Sequence, residues 1–258
     1  MTHIFQLVFA GVVLGFLNTV SSGGSVISLP LLLALGYPAV VANATNRVPV
    51  SVGLLIAIWQ FHKAGSIPWR VCLPLLPLIL IGTFIGTQLS VLIPMSALST
   101  AITFAVVMAL VLLLINPRRW LDNHSVDSNV LALSPQLIII LFLVSVWNGF
   151  IVLDAGTYLL LSLTLLGGLG LAQANVMKVV LMGASGLFSL LIFSGYSAVN
   201  WTASLPLVIG SILGSTIGSK LALGSGAKKW IYWSLVAGIS TSLLLKLVSF
   251  FAKHATLG

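Results

Sequence analysis

Charge is what this chain has least of. Only 5% of its 258 residues are charged, and only three are acidic: Asp122, Asp127 and Asp154. A soluble domain carries about 25% charged residues, enough to keep its surface wetted. So low a content excludes an ordinary soluble enzyme and a disordered chain alike. A single cysteine, Cys72, excludes an intramolecular disulfide. The four histidines, His3, His62, His124 and His254, stand far apart in the chain. They form no Cys/His cluster for zinc or iron, so no metal and no cofactor is expected. Histidines isolated in this way read as solvated loop residues. Strict apolar/polar alternation is also missing, which excludes an outer-membrane barrel.

What is present is apolar. Hydrophobic residues make up 59% of the chain, and the mean hydropathy is +1.19. The net charge of +8 comes from 11 Lys and Arg scattered between apolar runs. They form no basic stripe, so the expected partner is a lipid bilayer and not nucleic acid. A helical span takes about 20 residues, so this length allows roughly eight to ten spans with short loops and leaves no room for a soluble domain. The start, Met1-Thr2-His3, has no basic region and no cleavage site follows, so residues 4–20 read as the first span and not as a signal peptide.

Apolar runs fall at 4–20, 26–35, 40–59, 71–92, 97–115, 137–153, 158–166, 176–193, 201–217 and 231–251. Two of them, 26–35 and 158–166, are short, and each counts as a membrane segment in the fold expected below. About ten residues of helix rise some 15 Å, half of a hydrocarbon core. Each short run follows a break: Ser21-Ser22-Gly23-Gly24-Ser25 in one case, Asp154-Ala155-Gly156-Thr157 in the other. One long polar stretch, 116–134, holds Arg118, Arg119, Asp122, His124 and Asp127 and bisects the chain. The expected organisation is a first transmembrane repeat over 1–116, a polar linker over 117–133 and a second repeat over 134–258.

Self-comparison supports the duplication. Residue n matches n+132 without gaps from about Val20 to Leu89. Gly24 meets Gly156, Gly36 meets Gly168, and Ala42-Asn43 meets Ala174-Asn175. Trp69 and Leu73-Pro74-Leu75 meet Trp201 and Leu205-Pro206-Leu207, and Gly82-x-x-x-Gly86 meets Gly214-x-x-x-Gly218. Leucine matches mean little in such a chain, but Trp, Pro, Asn and Gly at one fixed offset are hard to obtain by chance.

The bases bear on orientation. The loop 62–70 carries Lys63 and Arg70, while its equivalent, 194–202, carries no charge. Conversely, 220–230 carries Lys220, Lys228 and Lys229, and its equivalent, 88–98, carries none. Under the positive-inside rule, equivalent loops then lie on opposite sides, which requires an odd number of crossings per half. The expected fold is therefore an all-α polytopic membrane protein. It has two inverted halves and about ten membrane segments, two of them short broken helices, with both termini outside. Lys246 and Lys253 would then lie near the outer face. The alternative is four plus four spans in parallel halves.

Inverted repeats with broken helices are the plan of secondary transporters, whose sites form where the discontinuous helices meet. Ser21, Ser22, Gly23, Gly24 and Ser25, with Gly156 and Thr157, would open short helices whose free N–H groups suit an anion. The competing reading is a hairpin turn with capping serines and no ligand. Asn43, Thr45, Asn46 and Arg47 open the third run, and Asn175 and Lys178 open its equivalent. Arg47 and Lys178 read as an anion-attracting pair, one from each half, or as snorkels reaching the interface. Asp154, the acid expected at membrane depth, could carry a coupling proton or act as counter-ion to Lys178. Gly82/Gly86 and Gly210/Gly214/Gly218 have the small-x-x-x-small spacing of close helix packing. Trp69, Trp120, Trp201 and Trp230 flank spans as an interfacial belt.

The order of motifs resembles the TauE/SafE sulfite-exporter family. It runs Gly23-Gly24-Ser25-x-Ile27-Ser28-x-Pro30, Ala42-Asn43-Ala44-Thr45-Asn46 and Lys63-Ala64-Gly65-x-Ile67-x-Trp69. The second half repeats it with Gly156-Thr157, Ala174-x-x-x-Lys178, Trp201, Leu205-Pro206 and Gly214-x-x-x-Gly218-x-Lys220-Leu221. The resemblance covers nearly the whole chain. It implies a bacterial cytoplasmic-membrane transporter of small anions such as sulfite, thiosulfate, sulfonates or related organic acids. The chain departs from the pattern at Val152-Leu153-Asp154-Ala155, where the family often has a glycine-rich turn, and at Arg47 after Thr45-Asn46.

Other functions compete. Gly183-Ala184-Ser185-Gly186 matches the G-x-S-G of intramembrane serine proteases, but Ser185 needs a histidine base, and the one downstream is His254, past the last run. An aspartyl protease needs two membrane carboxylates, and Asp154 alone is at hand. An anion channel is the nearer alternative. A purely structural scaffold would have no use for Arg47, Lys178 and Asp154 at depth. No catalytic residue is expected.

Overall fold

The computed structural model describes residues 2–92, 131 and 133–255. The expected run at 97–115, Trp120 and the charged linker with Arg118, Arg119, Asp122, His124 and Asp127 lie outside them. The described residues form nine helices: α1 Thr2–Val20, α2 Ser25–Ala34, α3 Ala39–Lys63, α4 Trp69–Leu92, α5 Pro135–Phe150, α6 Ala155–Leu165, α7 Leu171–Gly195, α8 Trp201–Leu223 and α9 Ala227–Ala255. Among them, α1, α3, α4, α7 and α8 are each long and apolar enough to cross a membrane, while α2, α5 and α6 are shorter apolar helices. Every regular element among the described residues is thus a helix, and the set fits a polytopic membrane protein.

Helix boundaries follow the offset of 132. Shifted by it, α3 lands on α7 residue for residue, and α4 and α8 both start at tryptophan. Local chemistry explains the coincidence. Before α3 the chain turns at Gly36 (φ 88°), before α7 at Gly168 (φ 72°). α3 ends in a left-handed residue, Gly65 (φ 65°), and α7 in Ser197 (φ 52°). In each case the residue after it bonds back to a phenylalanine carbonyl, Ser66 to Phe61 and Ala198 to Phe193, the six-to-one closure of a helix C-terminus. The breaks correspond less closely. The second spans 151–154, so Gly156 and Thr157 already belong to the first turn of α6, which starts two residues earlier than its equivalent would place it. Asp154 takes the left-handed conformation there (φ 58°) that Gly23 takes (φ 88°) one residue later in the repeat frame.

Large apolar side chains face outward along α8: Leu205, Ile209, Leu213 and Ile217 recur every four residues, each more than half exposed. That stripe would be a liability in water and is the ordinary face of a helix toward lipid. The inward faces pack through glycine. A Cβ on Gly11 or Gly15 would strike the backbone of Leu207 or Ser211, and one on Gly214 the backbone of Val12 and Phe16. α1 and α8 therefore run side by side in the same direction. α4 and α5 repeat the arrangement: Gly82 meets Ser145 and Phe142, Gly86 meets Val146 and Phe150, and Gly149 meets Thr83. Each half thus lends a helix to the other: α1 lies on α8, and its equivalent α5 lies on α4.

The centre is the crossing of α3 and α7. Here Gly186 faces Ser51, and Gly183 faces Leu54 and Ile58. One helix ascends as the other descends, so α3 and α7 are antiparallel. Serine and threonine hydroxyls fasten each of them to a parallel neighbour. Ser211 Oγ donates to the Pro49 carbonyl (2.7 Å) and Ser219 Oγ to Gln60 Oε1 (2.6 Å) between α8 and α3. Thr83 Oγ1 meets Ser185 Oγ (2.6 Å) and Thr87 Oγ1 meets Ser189 Oγ (2.8 Å) between α4 and α7.

Candidate functional site

α1 and α5 stop inside the bundle, and the last turn of a helix leaves carbonyls with no partner in the chain ahead. No water stands in a hydrocarbon core to satisfy them, so the protein must. It does so by exchange between the halves. At the end of α1, Asn175 Nδ2 donates to the Thr19 carbonyl (3.0 Å) and Lys178 Nζ to that of Asn18 (2.8 Å) and to that of Ser21. Both donors come from α7. At the end of α5, Asn43 Nδ2 donates to the Phe150 carbonyl (2.9 Å), and one terminal nitrogen of Arg47 donates to the carbonyls of Asn148 (2.6 Å) and Gly149 (2.8 Å). Both of these come from α3. A cation at a helix C-terminus also meets the negative end of the macrodipole.

Arg47 and Lys178 are therefore not at the surface. Both are 0% exposed, among the largest fully buried side chains of the protein. Capping is a role that neither the anion-pair nor the snorkel expectation contained. The two differ in what is left over. Lys178 gives protons to two carbonyls. Arg47 commits one terminal nitrogen, while its Nε and other terminal nitrogen are buried with no hydrogen-bond partner among the described residues, and the centre of the Phe193 ring lies 5.3 Å from its central carbon.

The remaining candidates sort by position. Ser25 Oγ accepts from Asn46 Nδ2 (3.1 Å), and the Gly24 N–H donates to Asn18 Oδ1 (3.1 Å), which folds the first break back on α1. Asn43 Oδ1 accepts from the N–H of Val152 (3.3 Å) in the second break. The breaks touch: a Cβ on Gly156 would stand 2.7 Å from Ser22 Oγ and 2.7 Å from Met182 Sδ. Ser21, Asp154 and Thr157 are buried beside this contact, and the Asp154 carbonyl accepts the Thr157 N–H (2.9 Å). Thr45 lies apart, its hydroxyl accepting from the N–H of Asn200 at the start of α8 (3.0 Å). Gly23 packs under Gly238 of α9, 3.4 Å from its would-be Cβ.

Sequence reading missed Asn18, Asn148, Thr83 and Ser189 and gave Ser185 no binding role. The signal for Asn18 and Asn148 was a carboxamide inside an apolar run. Self-comparison hid both, because their equivalents are Phe150 and Phe16. In the sequence Ser185 reads as a candidate nucleophile or, opposite Gly53 in the repeat, as a small packing position. It is held by Thr83 and by Asn148 Nδ2 (2.6 Å), neither of them a base.

Helices long and apolar enough to span, with polar breaks in contact inside the bundle, fit a membrane transport protein, and related sequences carry that class. The family model for the sulfite exporter TauE/SafE matches residues 7–246. A probable membrane transporter protein, ORF9, of Sinorhizobium sp is 24% identical over 250 residues, covering 96% of this chain and 93% of its own length. A probable membrane transporter protein of Haemophilus influenzae is 25% identical over 238 residues, covering 92% and 91%. The Escherichia coli probable membrane transporter protein YfcA is 25% identical over 222 residues, covering 86% and 81%. No solved structure matches the chain at a significant level. The protein is a multi-pass membrane transporter. It belongs to the TauE/SafE sulfite exporter family.

Proposed function

We propose that the protein is a secondary transporter that moves a small oxyanion across the bacterial cytoplasmic membrane, a sulfur oxyanion, a sulfonate or a related organic acid. The observation that carries this reading is Arg47: a fully buried guanidinium with two nitrogens that have no hydrogen-bond partner among the described residues. A buried cation costs several kcal/mol unless it is paired and hydrogen-bonded. An anion supplies both. The family's name points to the same substrate class. Thermal unfolding of the purified protein against sulfite, thiosulfate, sulfonates and short carboxylates tests the reading. A ligand at a hundred times its Kd stabilises by about 2.7 kcal/mol. A rise in Tm with at least one of these anions, and none with tetraalkylammonium, is the expected result. A flat panel of anions ends the reading.

The transport mechanism proposed with it is alternating access between two inverted halves of five segments each, working around the paired breaks. Three observations support inversion: the antiparallel crossing of the equivalent helices α3 and α7, the coincidence of helix bounds at the offset of 132, and the exchange of loop charge. If it holds, the turns after α3 and after α7 face opposite sides of the membrane. On a Cys72→Ser background, Ala64→Cys should react with an impermeant maleimide only after the cells are opened, and Ser197→Cys in intact cells. Labelling of both from one side would disprove inversion.

A further inference from the structure

Between α4, α5, α6 and α7 lies a cavity of about 10 Å³, lined on its polar side by Ser145, Asn148 and Ser185 and bounded by Ala155 and Met182. A void of that size has room for about one water-sized group. It abuts the contact between the breaks, since Met182 also faces Gly156. It also abuts the cationic cap, since Arg47 binds the carbonyl of Asn148 itself (2.6 Å).

The hydrogen bonds around it have a fixed direction. Thr83 Oγ1 donates to the Ile79 carbonyl (2.7 Å) and so accepts from Ser185, while Ser185 Oγ accepts from Asn148 Nδ2 (2.6 Å). Ser145 Oγ donates to the Leu141 carbonyl (2.6 Å). What remains is Asn148 Oδ1, an acceptor buried with no partner among the described residues, on a residue that is 4% exposed. A buried acceptor without a donor is costly, so a fold retains one where something else completes it.

The fold itself does not require these groups. At the offset of 132, Ser145, Asn148 and Ser185 correspond to Val13, Phe16 and Gly53. There Gly53 lies against the Ser211 and Ser215 hydroxyls, which donate to the carbonyls of Pro49 (2.7 Å) and Gly15 (3.2 Å). The carboxamide of Asn148 and the two serines beside it thus belong to one half of the repeat only.

Building on the anion-transport reading, we propose that this cavity is a substrate subsite that seats one oxygen of the transported oxyanion. The oxygen seated there carries a proton, which it donates to Asn148 Oδ1. The spare proton of Asn148 Nδ2 and the Arg47 guanidinium serve the oxygens that do not. The ligand class is therefore the hydrogen-bearing form of a small oxyanion, the monoanion of a diprotic acid such as hydrogen sulfite. In the described state the space holds the place of one such oxygen, and the rest of the ion enters as the helices part.

Calorimetric titration of the full-length protein with sulfite tests this, once at a pH where hydrogen sulfite prevails and once where the dianion does. The wild type should bind the hydrogen-bearing form about tenfold tighter, the effect of one hydrogen bond of the stronger neutral kind. Asn148→Leu and Ser185→Gly should remove that preference while leaving Tm within a few degrees. If Asn148→Leu fails to assemble, Ser145→Val, which installs the residue of the other half, takes its place with the same expectation. Equal affinity for the two forms in the wild type, or a preference that survives in the variants, overturns the subsite and leaves the transport reading standing. Absence of sulfite binding also overturns the subsite, and the anion panel above then decides separately whether the transport reading falls with it.

Discussion

Arg47→Lys is expected to weaken the transported anion by about 10- to 100-fold in KM, the effect of losing charge-assisted hydrogen bonds of roughly 1.5–3 kcal/mol, while the protein still folds. The reasoning rests on dividing the work of one side chain. The Arg47 terminal nitrogen that holds the Asn148 and Gly149 carbonyls has a replacement in the lysine ammonium, which offers three donors at a comparable reach. The uncommitted Nε and second terminal nitrogen have none. Charge is kept and the planar fork is lost, which is where arginine and lysine differ most. Uptake into proteoliposomes, measured against substrate concentration, separates KM from maximal rate. Normal uptake by Arg47→Lys would reduce Arg47 to a helix cap and leave the substrate to be held elsewhere.

Lys178→Met is expected to fail at an earlier stage. Methionine fills much of the lysine stem but abandons the carbonyls of Asn18 and Ser21 at the buried end of α1. Two acceptors left without partners at membrane depth cost roughly 2–6 kcal/mol, at about 1–3 kcal/mol each. That is a large part of a typical stability of about 5–15 kcal/mol. The expected result is a steep loss of monodisperse protein in detergent extracts, followed by size-exclusion chromatography. Lys178→Arg, which keeps donors for both carbonyls, should recover much of it. A Lys178→Met protein that folds with an unchanged Tm would mean that the end of α1 is satisfied by other means.

The sequence announced the helices because lipid demands a long apolar run for each full crossing, and the repeat showed in Trp, Pro, Asn and Gly recurring at one offset, the glycine turns before α3 and α7 among them. The polar breaks were equally visible as glycine and serine between apolar runs. The pairing of Arg47 with the end of α5 was not, since the two lie about a hundred residues apart and no local period encodes their meeting. Nor was the start of α6: a left-handed aspartate did there what glycine does in the first half, and aspartate read as chemistry before it read as a turn. Asn148 and Ser185 were obscured by the repeat comparison itself, which rewards what the halves share and passes over what one of them has acquired.

The exchange of caps has a consequence for how the molecule is assembled. α1 depends on Asn175 and Lys178 of the second half, and α5 on Asn43 and Arg47 of the first. Each half also lends a helix to the glycine seam of the other. This is the reciprocity of an isologous dimer, in which residue i of one subunit serves j of the other and the reverse. The two ends of the chain thus complete each other as the subunits of such a dimer do. A half inserted alone would carry a helix end with bare carbonyls in the bilayer, so the ribosome delivers an unfinished structure until α7 is in place.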